Sequence, residues 1–344
     1  MRRSLLGLLA LFAATTTGPA PVEAQTLEAV RQRGTIRCGV FGRLPGFSAP
    51  DTQGVMRGID ADFCRAVAAA VLGNAGQVTF VTSPTPDAGL LSVETGEVDV
   101  LARNLTITAM RDAGRNLSPT GVLFYDGQGL LVRRDQNITQ LRDLAGKRVC
   151  VAGVGVNASL ANLRDAARRV GIEVTPVQTP LGGPVLFEGF REGRCDAITA
   201  DAAGLGALAV TLLPDADSWA ILPERFSREP LTAWVRGDDP RWRQLVTWTM
   251  HAMVAAEELE VSSTNLAESL NSDSNEVRLL LGLDRGLGAA LGLADTWAAE
   301  VIRQVGNYGE MFDRNLGSGS PLGQDRGLSD LWRRGGLLYP YPFR

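Results

Sequence analysis

Along residues 35–235, short apolar runs alternate with amphipathic stretches, and the whole pattern occurs twice in series. The amphipathic stretches carry apolar residues at helical spacing and end at glycines such as Gly73 and Gly171. This rhythm predicts two α/β units, each with a mostly parallel sheet covered on both faces. The predicted strands are 35–40, 78–81, 98–102, 122–125, 148–151, 172–177, 196–199 and 220–222, and the predicted helices are 59–71, 90–95, 158–170, 186–192 and 202–212.

Two extended, apolar segments, 128–132 and 231–235, connect the units. We interpret them as crossover strands between two lobes rather than as flexible linkers. From Pro240, which suits the first position of a helix, the chain is predicted to be helical. The first part of lobe 1 is predicted at residues 25–129 and lobe 2 at 130–232. Residues 233–344 are predicted to return to lobe 1 and to add C-terminal helices.

The N-terminus has the features of a secretory signal peptide at residues 1–24. Arg2 and Arg3 precede an apolar stretch at 5–14, which is too short to span a bilayer. Small residues on either side of Glu23 suit a cleavage site, so Gln25 is predicted to begin the mature chain. The alternative is an uncleaved membrane anchor. We expect export to the periplasm.

The four cysteines are predicted to form two disulfides, because an even count in an oxidising compartment favours pairing. Four cysteines allow three connectivities. We favour Cys38–Cys64 and Cys150–Cys195, since each pair would then lie within one lobe. The alternative is four buried thiols. The sequence has no C-x-x-C motif and a single histidine, His251, so no metal site is predicted.

Charge and motif content exclude several functions. The formal net charge is −4 and no stretch forms a basic surface, which argues against a nucleic-acid partner. The lone His251 lies in an apolar helical segment and is unsuited to a catalytic triad. No phosphate-binding loop occurs, and no cofactor is predicted. These features favour a binding protein, expected to be monomeric, over an enzyme.

The segment NLTITAMR at 104–111 is the strongest candidate for a binding site. It follows a predicted buried strand, at the carboxyl edge where α/β clefts bind ligands. Thr108 is placed to cap the next helical turn, and Arg111 supplies a guanidinium suited to a carboxylate. The alternative is a capped helix with a surface arginine.

Asp201 is the predicted counterpart of Arg111 in the second unit. It follows the predicted strand 196–199, again at a carboxyl edge, where a carboxylate can accept hydrogen bonds from an ammonium group. An arginine on one lobe and an aspartate on the other define a site of the size of a zwitterion. The alternative role for Asp201 is the N-cap of helix 202–212, and both roles could coexist.

Several motifs, in order along the mature chain, resemble the polar-amino-acid-binding proteins of ABC transporters, especially the general L-amino-acid-binding group. The matching segments are LPGFSAPD at 44–51, GIDADFCRAV at 58–67, GEVDVL at 96–101, YDGQG at 125–129, GRCD at 193–196, NYGE at 307–310 and GSPL at 319–322. Each motif is modest alone, and the set is specific. The resemblance implies a type II periplasmic-binding-protein fold with two α/β lobes, two hinge strands and a ligand in the cleft.

The resemblance also implies roles for individual residues. Arg111 matches the arginine that binds the ligand carboxylate, and Asp201 matches the acidic partner of the α-amino group. Asn104 and Thr106 match positions that flank the α-amino and α-carboxylate groups. The implied function is capture of an L-amino acid and its delivery to the membrane permease of an ABC importer.

Two parts of the expected site depart from the family pattern. The family usually has an aromatic ring where Leu44 lies, with Phe47 nearby in this chain. A Gly-Thr-Thr turn of the second lobe is replaced by GVGVN at 153–157, which includes Val156 and Asn157. The turn loses hydroxyls, although its backbone N–H groups remain suited to an anion.

Two other functions fit the same resemblance. The first is a dehydratase of the prephenate or arogenate type on this fold, which would need a positioned general acid in the cleft. The second is a sensor that reports an amino acid to a receptor. A signal peptide without a fused membrane segment makes the sensor the less favoured of the two.

Overall fold

The computed structural model describes residues 25–155, 157–180, 182–213 and 215–344. The predicted signal peptide lies outside these residues. The elements up to the first crossover are α1 (Gln25–Arg33), β1 (Ile36–Val40), β2 (Ala49–Pro50), β3 (Met56–Arg57), α2 (Ile59–Leu72), β4 (Val78–Thr82), α3 (Pro86–Glu94), β5 (Val100–Thr106), α4 (Ala109–Asp112) and β6 (Leu117–Asp126).

The next elements belong to the second sheet and then to the return of the chain. The second sheet and its helices are β7 (Gln128–Arg133), β8 (Arg148–Ala152), α5 (Ala158–Arg169), β9 (Thr175–Thr179), α6 (Pro184–Arg191), β10 (Ala197–Asp201), α7 (Ala202–Leu212) and β11 (Trp219–Ile221). The return comprises β12 (Glu229–Arg236), α8 (Pro240–Glu258), α9 (Leu266–Ser269), α10 (Asn275–Leu280), α11 (Leu287–Leu291), α12 (Trp297–Val305) and α13 (Tyr308–Asn315).

Two five-stranded sheets define the two lobes. Lobe 1 contains the sheet β4-β1-β5-β12-β6, and lobe 2 contains β11-β7-β10-β8-β9. The prediction of mostly parallel sheets is wrong, because only two of the four strand pairs in each sheet are parallel. The antiparallel pairs all involve β7 or β12, the strands by which the chain enters a lobe from the other one.

The crossovers lie at other positions than the sequence predicts. The segments 128–132 and 231–235 belong to β7 and β12, so the chain passes between lobes at Gly127 and again at 222–228. A Cβ at Gly127 would lie 2.9 Å from Cβ of Arg225 and 2.9 Å from the carbonyl oxygen of Ser227. The two crossovers therefore pack backbone against backbone, and only glycine fits at this position.

The C-terminal helices cover lobe 1. Helix α12 packs against α2 and α8, and α13 packs against α8. Nε1 of the buried Trp242 donates to the carbonyl oxygen of Asp99 at 2.8 Å, which joins α8 to the start of β5. The hydroxyl of the buried Tyr308 donates to the carbonyl oxygen of Leu123 at 2.7 Å, which joins α13 to β6. The return segment is thus part of the lobe 1 core.

Both predicted disulfides are confirmed. Cys38 of β1 is bonded to Cys64 of α2, with a Cα–Cα separation of 6.2 Å. Cys150 of β8 is bonded to Cys195, which lies just before β10, with a Cα–Cα separation of 5.6 Å. Each bond therefore lies within one lobe, and none restrains the movement of one lobe relative to the other.

Removal of the lobe 2 disulfide should lower stability without affecting the cleft. Cys150 and Cys195 are 45 residues apart, and closing a loop of that length stabilises a domain by about 2–4 kcal/mol through the unfolded state. We expect the double substitution Cys150→Ala and Cys195→Ala to lower the free energy of unfolding in urea by that amount. A reducing agent should destabilise the unmutated chain further than the variant. Four free thiols in the unmutated chain, found by alkylation without reductant, would contradict this assignment.

Candidate functional site

A β-bulge in β5 shapes the edge of lobe 1 that faces lobe 2. The register with β12 pairs Ala102 with Ala233 and then Leu105 with Thr232, so Arg103 and Asn104 have no partner between them. Asn104 has φ 43°, a left-handed conformation that is uncommon outside glycine. Its Oδ1 is buried and has no hydrogen-bond partner. Such bulges typically redirect side chains next to binding sites.

Asp60 of α2 contacts this bulge through a hydrogen bond. The backbone N–H of Asn104 donates to its carboxyl group, which is 2% exposed, while Oδ2 has no partner. Burial raises the pKa of Asp60 to about 7, although the Asn104 hydrogen bond and the nearby Arg103 guanidinium oppose the rise. Arg103 is itself buried and donates to Oγ of Ser83 at 2.9 Å. The sequence alone singles out neither Asp60 nor Arg103.

Arg111 is held in place by its own segment. Oγ1 of Thr108 accepts from the N–H of Arg111 at 3.3 Å, which confirms the predicted cap of the short helix α4. Nη1 of Arg111 donates to the carbonyl oxygen of Thr106 at 2.8 Å. The guanidinium is half-buried, and burial lowers the pKa of Arg111, an effect opposed by the negative charges of Glu229 and Asp201.

Asp201 ends β10 on the facing lobe and is partly exposed. Burial raises the pKa of Asp201 well above its usual value, and repulsion from Asp126 and Glu229 adds to the rise, whereas Arg111 opposes it. The structure thus brings the predicted arginine and the predicted aspartate close enough to affect each other's ionisation, across the two lobes.

Asp201 occupies the N-cap position of α7, as its alternative role requires, but its side chain makes no cap hydrogen bond to that helix. The first crossover caps that helix instead. The carbonyl oxygen of Gly127 accepts from the N–H of Ala202 at 3.0 Å, and Oδ2 of Asp126 accepts from the N–H of Ala203 at 3.2 Å. Asp201 is consequently left free of the helix end.

Asp126 and Glu229 complete the charged floor of the cleft, and the sequence predicts neither. Burial raises the pKa of Asp126 to about 6, although its bonds to backbone N–H groups and the charge of Arg225 oppose the rise. Both residues lie where a hinge strand meets a crossover. Asp126 is the last residue of β6 and lies in the matched segment YDGQG at 125–129, whereas Glu229, the first residue of β12, lies in none of the matched segments.

The altered turn of lobe 2 is closed by Asn157. Its Oδ1 accepts from the N–H of Leu160 at 3.0 Å and caps α5, while Nδ2 is buried without a partner. Gly153 has φ 89°, and a Cβ there would lie 2.8 Å from that Nδ2, so glycine is required. Val156, also predicted at the site, lies outside the described residues.

Leu44 and Phe47 differ in where the structure places them. Leu44 reaches lobe 2, since a Cβ added at Gly204 of α7 would lie 4.0 Å from both of its δ-carbons. Phe47 is 1% exposed and packs edge-on against Phe124, with ring centroids 5.5 Å apart. The structure therefore places the Phe47 ring in the lobe 1 core, and contact of Phe47 with a ligand stays a prediction.

Two cavities of about 610 and 750 Å³ flank the second crossover, and Ser227 and Glu229 line both. The smaller one also contacts Thr106 and Thr108 of lobe 1 and Ala158 of lobe 2.

His251 lies away from these cavities. Its ring is stacked on Tyr341 with ring centroids 3.9 Å apart, and burial lowers the pKa of His251 to about 4. None of the helices described is long and apolar enough to cross a membrane.

Comparison with known proteins identifies the family to which this two-lobe chain belongs. Residues 36–265 match the bacterial extracellular solute-binding proteins, family 3. The chain belongs to that family. A periplasmic binding protein from Brucella ovis, solved with glutathione bound, superposes on this family member with a TM-score of 0.87 at 38% identity, covering 93% of this chain and 99% of that one. The predicted type II two-lobe fold is confirmed.

Two relatives match along the whole length of this solute-binding protein. The general L-amino acid-binding periplasmic protein AapJ of Rhizobium johnstonii is 39% identical over 346 residues, which cover 100% of both chains. The glutamate/glutamine/aspartate/asparagine-binding protein BztA of Rhodobacter capsulatus is 40% identical over 344 residues, covering 100% of this chain and 99% of that protein.

The buried carboxyl of Asp60 should make stability depend on pH. Because the folded chain binds its proton more tightly than the unfolded chain does, unfolding releases a proton between about pH 4 and pH 7, and the free energy of unfolding falls as pH rises. Asp60→Asn keeps an acceptor for Asn104 but cannot ionise. From pH 4 to pH 8, urea unfolding should show the variant gaining up to about 4 kcal/mol relative to the unmutated chain.

The exposed Asp112→Asn on α4 is the control for that comparison and should follow the unmutated chain at every pH. If the stability curves of Asp60→Asn and the unmutated chain run parallel between pH 4 and pH 8, Asp60 does not titrate in this range.

Proposed function

We propose that this chain is a periplasmic solute-binding protein that captures an L-amino acid between its lobes and delivers it to the membrane permease of an ABC importer. The observation that carries the proposal is the placement of Arg111 on lobe 1, hydrogen-bonded to the carbonyl oxygen at the end of β5, and of Asp201 on lobe 2, at the end of β10, with each charge acting on the pKa of the other group. A free amino acid carries the complementary charges on one carbon atom. Arg111 binds its α-carboxylate, and Asp201 accepts from its α-ammonium.

Unpaired polar atoms on both lobes support a polar ligand. Asn104 offers a free acceptor, Oδ1, and Asn157 offers a free donor, Nδ2. Buried polar groups without partners cost free energy, so a ligand that pairs with both gains affinity. In the proposed complex Asn104 accepts from the ammonium group, and Asn157 together with the backbone N–H groups of Val154 and Gly155 donates to the carboxylate.

Contacts between the lobes support capture by hinge closure. Leu44 approaches Gly204, and Nε2 of Gln324 donates to the carbonyl oxygen of Ala203 at 3.0 Å. A ligand bound by Arg111 and Asp201 holds both lobes at once, so it favours the closed arrangement over an open one. The permease then distinguishes the loaded chain from the empty chain by its shape.

The relatives support the ligand class and the compartment. AapJ is named as a general L-amino acid-binding periplasmic protein, and BztA as a binding protein for four acidic and amide amino acids. We assign the same compartment to this chain, with residues 1–24 as its signal peptide and a monomer as its state. The glutathione in the Brucella ovis protein fits the same chemistry, because its γ-glutamyl end carries an α-amino and an α-carboxylate group.

One observation favours a second candidate, a dehydratase. A dehydratase needs a general acid in its cleft, and a carboxyl group with a raised pKa, such as Asp201, is a candidate for that role. We favour binding without catalysis, because burial together with the two like charges of Asp126 and Glu229 explains the same rise in the pKa of Asp201. Incubation with prephenate separates the two: loss of prephenate with formation of phenylpyruvate would establish the enzyme.

A thermal-shift panel of the twenty L-amino acids and glutathione tests the proposed function. A ligand that binds only the folded chain raises its melting temperature by mass action. We expect at least one amino acid to do so, and Arg111→Ala to abolish the shift while leaving the melting temperature of the ligand-free chain unchanged. Loss of one partner of a desolvated charged pair typically costs about 2–5 kcal/mol of binding. A panel without any shift would refute amino-acid capture.

Asp201→Asn should discriminate between ligand classes. An amide is a poorer acceptor for an ammonium group than a carboxylate, so amino acids should bind at least about tenfold more weakly, as expected for loss of a charged hydrogen bond. The matching 2-hydroxy acids have no ammonium group and should lose much less. Calorimetric titrations with an amino acid and its hydroxy analogue measure both effects. Equal losses for the two would make Asp201 a structural residue only.

A further inference from the structure

A chain of hydrogen bonds joins Thr106 to both crossovers. Oγ1 of Thr106 donates to Oε2 of Glu229 at 2.5 Å, and Oγ of Ser227 donates to Oε1 of the same carboxylate at 2.5 Å. The backbone N–H of Gln128, the first residue of β7, donates to Oγ of Ser227 at 2.9 Å. Both carboxylate oxygens of Glu229 thus accept a hydrogen bond from a hydroxyl group, at distances typical of hydrogen bonds to an ionised carboxylate.

The direction of each bond follows from the groups themselves. A hydroxyl carries one proton and two lone pairs, a backbone N–H only donates, and an ionised carboxylate only accepts. The Ser227 hydroxyl accepts a hydrogen bond from the N–H of Gln128 and donates one to Glu229. The Thr106 hydroxyl donates a hydrogen bond to the other carboxylate oxygen of Glu229. The Thr106 hydroxyl therefore has lone pairs, but no proton, to offer a ligand.

We propose that Glu229 is a positioning residue that makes the site selective for an α-ammonium group, because it holds the Thr106 hydroxyl as a hydrogen-bond acceptor. The inference rests on the proposed function. An ammonium group brings three donors to Thr106 and Asp201. A 2-oxo group has lone pairs and no hydrogen-bond donor. When it binds, Thr106 and Asp201 would lose their contact with water and gain no donor in return. Sites that pair a polar ligand group in this way strongly reject analogues that lack it.

Glu229→Gln should reverse the direction of the hydrogen bond between Thr106 and residue 229. Ser227 still accepts from Gln128 and still needs an acceptor for its proton, so the amide oxygen of the new side chain faces Ser227. The amide nitrogen then faces Thr106 and donates to it. The Thr106 hydroxyl proton is released from the bond to residue 229 and can be donated to a ligand oxygen.

Calorimetric titration with L-glutamate and 2-oxoglutarate, which differ only at the α-position, tests this inference. If another amino acid gives the largest shift in the panel, that amino acid and its 2-oxo acid replace them. The unmutated chain should prefer the amino acid by at least about a hundredfold. Glu229→Gln should reduce that preference at least about tenfold, through weaker binding of the amino acid and unchanged or tighter binding of the oxo acid.

A matched control lies on the same crossover. Glu224 accepts from the N–H of Leu141 in lobe 2 at 3.2 Å and does not contact Thr106. Glu224→Gln also removes one negative charge, and it should leave the ligand preference unchanged. A second test uses Thr106→Val, which should reduce the preference in the unmutated chain and have little further effect in the Glu229→Gln background, since the two residues act as one unit.

The outcomes separate this inference from the function on which it rests. An unchanged preference in Glu229→Gln would show that Glu229 does not set the direction of the Thr106 hydrogen bond. If both ligands also bind equally more weakly, Glu229 is a structural residue. Either result overturns the inference and leaves amino-acid capture standing. An unmutated chain that binds none of the twenty amino acids overturns the proposed function and this inference together.

Discussion

The close packing of the two crossovers is the constraint on which the rest of the molecule depends. Gly127 lies directly against the backbone of 225–227, so the chain passes between the lobes twice at one place. The crossovers also contact the ends of two central strands, since Gly127 accepts from the N–H of Ala202 just after β10 and Glu229 accepts from Thr106 at the end of β5. A hinge of two short crossovers allows the lobes to rotate while it keeps the floor of the cleft intact.

The cleft concentrates like charge, and this has an energetic cost. Asp126, Asp201 and Glu229 repel one another in partly buried positions, and Arg111 compensates only in part. Sites that bind charged ligands commonly carry such unfavourable charge in the free state, since binding relieves it. An ammonium group placed among these carboxylates would supply the missing positive charge, so the stored repulsion becomes part of the binding free energy.

The chain beyond residue 265, outside the matched family region, strengthens the link between the lobes. Arg326 is anchored to lobe 1 by two hydrogen bonds of 3.1 Å to the carboxylate of Glu257. Oγ of Ser329 accepts from the N–H of Tyr125 at 2.8 Å, next to the first crossover. Between α13 and these anchors, Gln324 reaches the start of α7 in lobe 2. The C-terminal segment thus bears on hinge movement as well as on the core of lobe 1.

The sequence by itself determined the features that are local: the alternation of strands and helices, the cysteine pairing and the Thr108 cap. It also singled out Arg111 and Asp201 as site candidates, since each lies near the carboxyl end of a predicted buried strand. Only the tertiary structure decided the antiparallel pairs at the hinge, the burial of Phe47 and the role of Glu229. Glu229 lies 123 residues from Thr106 along the chain, and no local pattern encodes their hydrogen bond. Distances between such residues, and the pKa shifts that they cause, exist only once the lobes are folded.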